Sequence, residues 1–193
     1  RLENIFSLYD PASEIVRLNE TGYLDNASLE MIELLNISKK MSIETDGAFD
    51  VTVQPLWQFY DRFYFKKQGG DFEAEMARIL PLIGSEKIII DGTTVSFEKE
   101  NMAISSNGIA QGYITDKVTE FLMERGFEHV LVDIGEYRAG GPQANGDSWR
   151  IGLMDPFDQI SMADVIELSK GGLATSGGYG GVFDVGGENH HLF

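Results

Sequence analysis

The sequence contains no cysteine, only three histidines and few basic side chains. The absence of cysteine excludes disulfide bonds, thiolate catalysis and zinc sites with sulfur ligands. Fifteen basic against thirty-one acidic side chains give a formal net charge of −16, which repels nucleic acid and anionic membranes. A phosphate group bound to this chain would therefore need local help from backbone N–H groups or from a divalent cation.

Long apolar runs are also lacking, because no stretch of eighteen consecutive apolar residues occurs that would predict a transmembrane helix. With 193 residues, 42% hydrophobic and 24% charged, the composition is typical of one globular domain with a sizeable core. The lack of cysteine fits a periplasmic and a cytosolic protein equally. The sequence opens at Arg1 inside a helical pattern, so we expect that a targeting segment has been removed.

The stretch at 103–135 predicts a loop, a helix and a buried strand in succession. A polar loop, Ser105–Gly108, precedes apolar residues at helical spacing, namely Ile114, Val118, Phe121 and Leu122. Gly126 ends the predicted helix, and residues 130–134 form a β-branched run of strand length. Backbone N–H groups at a helix N-terminus favour an anion, so phosphate is the first ligand to consider. An ordinary glycine turn fits the same residues, because a lone Gly-rich loop is a weak signal.

The remaining elements alternate between helix and strand, without a linker or an internal repeat. We predict an α+β fold of one domain over 1–193, with a mixed, mostly antiparallel sheet and packed helices. The predicted elements are a first helix ending at Asp10-Pro11, a helix capped by Asn26 or Ser28, an aromatic-rich surface excursion over 57–71, a short helix over 72–83, a hairpin turning at Asp91-Gly92, strands at 149–153 and 165–168, and a terminal hairpin over 182–193.

Several polar and aromatic residues outside the central stretch are candidates for a binding site. Tyr9 sits at the Asp10-Pro11 break, where its ring either packs or stacks on a planar ligand. The polar residues over 45–50 either only stabilise a turn or bind ribose or phosphate. His190 and His191 follow a turn, and neighbours along a strand point to opposite faces. One of them is a candidate for general acid–base chemistry, and two surface histidines on an edge strand are the alternative.

Six blocks of the sequence together carry a resemblance to a known family. They are RLENIFSLYDPASEIVRLN at the start, TDGAFDVTVQPL at 45–56, NGIAQGY followed by Asp116, then WRIGLMDP, LATSG and HHLF at the end. Their order and approximate spacing resemble the FAD:protein FMN transferases, the ApbE-type flavin transferases formerly called thiamine-biosynthesis lipoproteins. The blocks cover nearly the whole sequence, so we interpret the chain as a member of that family.

The resemblance implies an α+β fold that binds FAD with Mg²⁺ and transfers the FMN half of FAD onto a threonine or serine of an acceptor flavoprotein, releasing AMP. It also implies a periplasmic location or the outer face of the cell membrane, through an N-terminal lipid anchor. Further family segments are expected on both sides of this sequence, the later of which donates aspartate and threonine side chains to magnesium.

Carried over by position, the resemblance assigns a role to individual residues. Tyr9 matches the aromatic residue that stacks on the isoalloxazine ring. Gly108 matches the position whose backbone carbonyl ligates magnesium, and His191 matches a histidine that we expect to act as the general base. Ser105 and Gln111 stand where the family usually has an aspartate and a lysine, both nucleotide contacts. The remaining expected cofactor contacts are Ala48, Phe49, Asp50, Thr175, Ser176 and Phe193.

Two other functions compete with a transferase at this stage. One is an FAD- or FMN-binding carrier module without transferase activity, which the replacements at Ser105 and Gln111 favour. The other is an interaction protein that binds a nucleotide other than a flavin.

Overall fold

A computed structural model describes residues 1–66, 70–158, 160–178 and 182–183, without the side chain of Phe65. Its helices are α1 (Glu3–Phe6), α2 (Glu14–Thr21), α3 (Leu29–Glu44), α4 (Gln54–Tyr60), α5 (Phe72–Ile79) and α6 (Ala110–Glu124). Its strands are β1 (Tyr23–Leu24), β2 (Ile88–Asp91), β3 (Thr94–Phe97), β4 (Leu131–Asp133), β5 (Tyr137–Ala139), β6 (Trp149–Met154), β7 (Met162–Leu168) and β8 (Gly171–Leu173). The strand pairings in this part of the chain are antiparallel, so the predicted α+β class is confirmed.

The described residues divide into two compact units. The first comprises Arg1–Ala110 together with Phe183, and the second comprises Gln111–Val182. A single domain over 1–193 stays a prediction. None of the described helices has both the length and the apolar character needed to cross a membrane.

Side-chain caps fix the ends of the helices in the first unit. Ser13 caps α2 by accepting from the Val16 backbone N–H, and Gly22 ends that helix with a φ of 69°. Ser28 caps α3 by accepting from the Met31 N–H at 3.1 Å. Of the two caps that the sequence predicts, Asn26 or Ser28, the structure thus has Ser28. The helices bury a common apolar core that includes Ile15, Leu18, Met31, Leu34 and Leu35.

A three-stranded sheet of the order β1-β3-β2 completes this core through Leu24, Ile88 and Val95. Strands β2 and β3 form the predicted hairpin, but Asp91 pairs with Thr94 and the loop residues are Gly92 and Thr93. The turn is thus one residue later than predicted. Gly92 has a φ of 58°, the left-handed conformation that glycine adopts without steric cost.

Residues 57–65 of the predicted surface excursion are helical, and several of their aromatic side chains pack against apolar residues. Helix α4 continues into a π-helical turn over Asp61–Phe65, and the α4 side chains Leu56 and Phe59 pack against Ile79 of α5. Partly buried rings surround this cluster, among them Tyr60, Phe63 and Phe72. Burial raises the pKa of Tyr60, with a smaller contribution from neighbouring Tyr64.

The second unit is built on helix α6, whose predicted end at Gly126 is confirmed by a φ of 87° there. Three residues of the predicted apolar face, Ile114, Val118 and Leu122, are half-buried, whereas Phe121 is 50% exposed. The most buried side chains of the helix are Tyr113, Thr115 and Thr119. The threonine hydroxyls donate to helix carbonyls one turn earlier, at 2.8 Å each, so neither is left unpaired on burial.

Two small sheets accompany α6 in the second unit. Strands β4, β5 and β8 form one of them, and the predicted strand at 130–134 is confirmed as β4. Strands β6 and β7 form a separate two-stranded ribbon, in which Trp149 pairs with Leu168 and Met154 with Met162. The predicted strands at 149–153 and 165–168 are confirmed in this ribbon, whereas most of the predicted hairpin over 182–193 lies outside the described residues.

Candidate functional site

Three chain segments that carry predicted site residues are tied together in the first unit. The Ser105 N–H donates to the Val51 carbonyl at 2.7 Å, which fixes the 105–108 loop beside the end of the 45–50 turn. The Ser106 hydroxyl is buried and donates to the Phe6 carbonyl at 3.0 Å, which fixes the same loop to the end of α1. Distant parts of the sequence therefore meet around one loop, and a buried polar group holds each junction.

The residue types of the 45–50 turn suit its backbone conformation. Asp46 and Gly47 have φ angles of 52° and 80°, in the left-handed region that aspartate and glycine tolerate better than most residues. The Thr45 hydroxyl accepts from the Phe49 N–H at 3.0 Å, which closes the turn. This geometry gives Phe49 a fixed backbone position next to the 105–108 loop.

Phe49 and Gly108, two residues predicted for the site, lie next to each other. A Cβ atom added to Gly108 would lie 3.4 Å from Cε2 of Phe49, an ordinary van der Waals distance, so the ring lies beside the glycine. Gly108 is exposed and Phe49 is half-buried. A flat apolar side chain and the exposed backbone of Gly108 thus lie side by side, which is a suitable combination for a ring joined to a phosphate.

Asp50 has a structural role that the sequence did not predict. Its Oδ1 accepts from the Thr52 N–H at 2.8 Å and from the Thr52 hydroxyl at 2.6 Å. Its Oδ2 accepts from the Ser85 N–H at 2.8 Å. The Thr52 hydroxyl in turn accepts from the Gly84 N–H at 2.7 Å. Asp50 therefore joins the 45–50 turn to the segment at 84–85, and each of its carboxylate oxygens is engaged within the protein.

Tyr9 lies in the loop between α1 and α2 with 91% of its side chain exposed. The Ser7 hydroxyl oxygen accepts from the N–H groups of Tyr9 and Asp10, both at 3.2 Å, and so shapes the loop. The ring has no packing role at this exposure. Of the two possibilities for Tyr9 in the sequence, packing is thus wrong, and a stacking surface stays a prediction.

The second unit brings Gln111 and Thr175 to one turn, at residues 134–136. The Gln111 side-chain amide donates to the Ile134 carbonyl at 2.9 Å, and the Thr175 N–H donates to the Glu136 carboxylate at 3.2 Å. Gly135 between these anchors has a φ of 93°. Thr175 and Ser176 are exposed. Gln111 therefore supports the 134–136 turn, a contact that could not be predicted from local sequence signals because 23 residues separate the partners.

His191 and Phe193, both predicted site residues, lie outside the described residues, as does His190. The general-base role of His191 and the cofactor contact of Phe193 stay predictions.

Within residues 1–66, 70–158, 160–178 and 182–183, no group of three or more His, Asp or Glu side chains is placed to hold a metal ion. Mg²⁺ in phosphate-binding sites usually takes one or two carboxylates together with phosphate oxygens and water. A magnesium site of that kind does not need a group of three such side chains. An ion at the Gly108 carbonyl would need oxygen ligands from a nucleotide or from other parts of the protein.

Sequence reasoning missed the polar residues that hold the site together. Ser106 and Glu136 were passed over, although a serine next to a predicted loop and a glutamate next to a turn are candidates for such anchors. Asn19 was also missed, and its side chain pairs with both the N–H and the carbonyl of Ile104 at 2.8 and 2.9 Å. Asn19 lies inside α2, for which no helix was predicted, and asparagine is unfavourable in a helix unless its amide bonds elsewhere.

Comparison with known proteins decides the family. A sequence model of the ApbE family matches residues 1–193. The chain belongs to the ApbE family. Among curated relatives, the FAD:protein FMN transferase of Vibrio cholerae is 31% identical over 191 residues, covering 95% of this chain and 57% of the relative. The enzyme of the same name from Klebsiella pneumoniae is 26% identical over 198 residues, covering 100% of this chain and 61% of the relative.

Solved structures confirm the ApbE-like fold that the resemblance implied. The ApbE protein of Thermotoga maritima superposes with a TM-score of 0.87 at 27% identity, covering 100% of this chain and 64% of that one. The flavin transferase ApbE of Vibrio cholerae gives a TM-score of 0.74 at 27% identity, covering 95% of this chain and 60% of that one. The ApbE chain described here thus spans less than two thirds of the length of these relatives.

Proposed function

We propose that this ApbE-family chain is part of an FAD:protein FMN transferase, which moves FMN from FAD onto a threonine or serine of an acceptor flavoprotein and releases AMP. The observation that carries the proposal is the contact between Phe49 and Gly108, which puts two family-matched residues at one place in the first unit. The names of the relatives from Vibrio cholerae and Klebsiella pneumoniae support it. The protein then acts in the periplasm or on the outer face of the membrane, lipid-anchored, which fractionation of cells tests.

The proposed reaction is a phosphoryl transfer within a diphosphate. The acceptor hydroxyl oxygen bonds to the phosphorus of the FMN half while the bond from that phosphorus to the bridging oxygen breaks. The bridging oxygen leaves with AMP, and the hydroxyl proton passes to a base, for which we propose His191. Charge accumulates on the leaving phosphate, so groups that stabilise that charge contribute most to the rate.

We also propose that Mg²⁺ accompanies FAD, with the Gly108 carbonyl as one of its ligands. A protein with a net charge of −16 repels a diphosphate over long range. A divalent cation with oxygen ligands neutralises this charge and orients the phosphates.

Titration of FAD fluorescence with the complete protein tests the binding step. We expect saturable quenching at about one FAD per chain, and weaker binding when EDTA removes Mg²⁺. Isothermal calorimetry with and without Mg²⁺ gives the stoichiometry independently. Absence of saturation at high micromolar protein would overturn the proposal, and equal affinity with and without the metal would overturn the part that concerns Mg²⁺.

A carrier module is the second candidate, favoured by Gln111. Its neutral amide already donates to the Ile134 carbonyl, where the resemblance places a charged lysine that contacts the nucleotide. An assay for AMP release with a threonine-bearing acceptor separates the two functions. A transferase releases AMP in step with flavin fluorescence on the acceptor, whereas a carrier binds FAD and releases none.

Replacing Tyr9 by alanine is expected to weaken FMN binding about tenfold and to leave AMP binding unchanged, because ring stacking is worth about 1–3 kcal/mol and acts on the flavin alone. Stability should not change, since the side chain is 91% exposed. Fluorescence titration with FMN and competition with AMP measure the two affinities.

Tyr23→Ala is the matched control, because Tyr23 is another exposed tyrosine of the first unit. Equal losses for FMN and AMP in the Tyr9 variant, or no loss for either ligand, would show that Tyr9 does not stack on the isoalloxazine ring.

A further inference from the structure

The ribbon formed by β6 and β7 ends in an exposed apolar tip within the second unit. Four large side chains there are mostly exposed to solvent, namely Met154 (58%), Phe157 (95%), Ile160 (91%) and Met162 (65%). We call these four residues the hairpin patch. None of them has a role in the proposed transfer.

Two aspartates accept hydrogen bonds from described residues of the tip. Asp155 accepts from the Phe157 N–H at 2.7 Å, and its own N–H donates to the Ser161 carbonyl at 2.9 Å. Asp158 accepts from the N–H groups of Ile160 and Ser161, both at 2.9 Å, and from the Ser161 hydroxyl. The Ser161 hydroxyl and then these backbone donors lower the pKa of Asp158, so its carboxylate is charged at neutral pH. The backbone N–H groups of Phe157 and Ile160 are thus each bonded to an aspartate.

The patch continues from the tip onto one face of the ribbon. Met154 and Met162 are cross-strand partners, and side chains that are paired in this way lie on the same face. Gly152 makes room for Met162, because a Cβ atom at position 152 would lie 3.0 Å from both Cε and Sδ of that methionine. The glycine thus allows the flexible methionine side chain to lie across the strand.

The exposed apolar area of the patch is large for the surface of a monomeric protein. An aromatic side chain has about 150–250 Å² of surface, so Phe157 alone presents on the order of 200 Å². With its three neighbours the patch reaches roughly 500 Å², which is the upper range for the largest patch of a monomer and often marks a binding surface.

The ribbon that carries the patch is acidic, which restricts what can bind there. Asp155 and Asp158 lie at the tip, whereas Glu167 is paired across the strands with Arg150. The ribbon carries four carboxylates, from Asp155, Asp158, Asp164 and Glu167, against the single guanidinium of Arg150. An anionic membrane is repelled by this charge, and a second copy of the same surface would place like charges opposite each other. A polypeptide with lysine or arginine beside apolar side chains complements both the charge and the apolar area.

We propose that the hairpin patch docks a polypeptide segment in which basic and apolar side chains alternate. Under the function proposed above, that segment belongs to the acceptor protein, so the identity of the partner rests on that function. The docking chemistry itself rests only on the ribbon. Apolar contact with Phe157 and Ile160 supplies most of the affinity, and the carboxylates select the sign of the partner's charge.

Binding of two fluorescein-labelled model peptides, followed by anisotropy, tests the proposal. One peptide has the sequence KFKIKFK and the other EFEIEFE, so they share apolar residues and differ in the sign of their charge. We expect saturable binding of the lysine peptide, weakening with added salt, and none of the glutamate peptide. The variant Phe157→Ser/Ile160→Ser should bind the lysine peptide about tenfold or more weakly, because it removes the two most exposed apolar side chains of the patch.

Two further variants make the test specific. Leu29→Ser removes an exposed apolar side chain, 77% exposed, in the first unit and should bind like the parent protein. Asp164→Asn/Glu167→Gln keeps the apolar patch and should weaken the lysine peptide by about a few-fold, with a smaller dependence on salt.

Three outcomes would overturn the docking proposal. The first is equal binding of both peptides, and the second is unchanged binding of the lysine peptide to the Phe157→Ser/Ile160→Ser variant. The third is that the lysine peptide does not bind, while the parent protein dimerises or binds phosphatidylglycerol vesicles and the variant does neither. FAD is absent from this experiment, so a failure of the proposed transferase function appears in the FAD titration and leaves the peptide result unaffected.

Discussion

His191→Ala is expected to slow transfer of FMN about 10²–10⁴-fold, because a positioned general base typically contributes that much to a rate. Binding of FAD should change little, since the base acts on the acceptor hydroxyl and not on the nucleotide. Histidine suits this role because its pKa lies near neutral pH without any perturbation. The measurements are AMP release and in-gel flavin fluorescence of a threonine-bearing acceptor, together with an FAD titration of the variant.

His190→Ala is the matched control for this experiment. It removes the same kind of side chain one position earlier, and neighbouring residues of an extended segment point in opposite directions. We expect its transfer rate to stay within about a few-fold of the parent. Full activity in the His191 variant would exclude it as the base, and the aspartates would then be the residues to test.

Asp50→Ala is expected to lower the free energy of unfolding of the first unit by about 2–4 kcal/mol, because each buried donor left without a partner costs about 1–3 kcal/mol. The carboxylate is the acceptor for the N–H groups of Thr52 and Ser85, and both of these residues are buried. Urea unfolding followed by Trp57 fluorescence in a Trp149→Phe background measures the change within the first unit, because Trp149 belongs to the second unit.

Asp25→Ala removes the same charge from an exposed position of the first unit and should leave stability nearly unchanged. Asp50→Asn retains one carbonyl acceptor and should be intermediate. If Asp50→Ala lost FAD affinity while unfolding like the parent, Asp50 would be a ligand contact rather than a structural anchor.

Local sequence signals predicted the elements whose ends are set by neighbouring residues. Ser28 caps α3 through a bond to the backbone three residues later, and Gly126 ends α6 through its own backbone conformation. The β2–β3 hairpin was also recognised, with an error of one residue, because both Asp91-Gly92 and Gly92-Thr93 offer a glycine to the turn. These features depend on contacts within a few residues, which a sequence shows directly.

Features set by distant contacts were not predictable in the same way. The most buried side chains of α6 include Thr115 and Thr119, whose hydroxyls bond within the helix, so hydrophobic periodicity did not find them. The role of Asp50 depends on Ser85, a partner 35 residues away. Family resemblance placed Phe49 and Gly108 in one site without their contact being visible in the sequence.

The hydrogen bonds between Asn19 and Ile104 affect the order in which the parts of the protein fold. Their two hydrogen bonds close a loop of 85 residues, and the junction of Ser106 with Phe6 closes one of 100. The helices between them form from local contacts, whereas these junctions form only after a large loss of chain entropy. During synthesis the 45–50 turn is made well before the 105–108 loop, so the junctions between these segments form only after the later loop has left the ribosome.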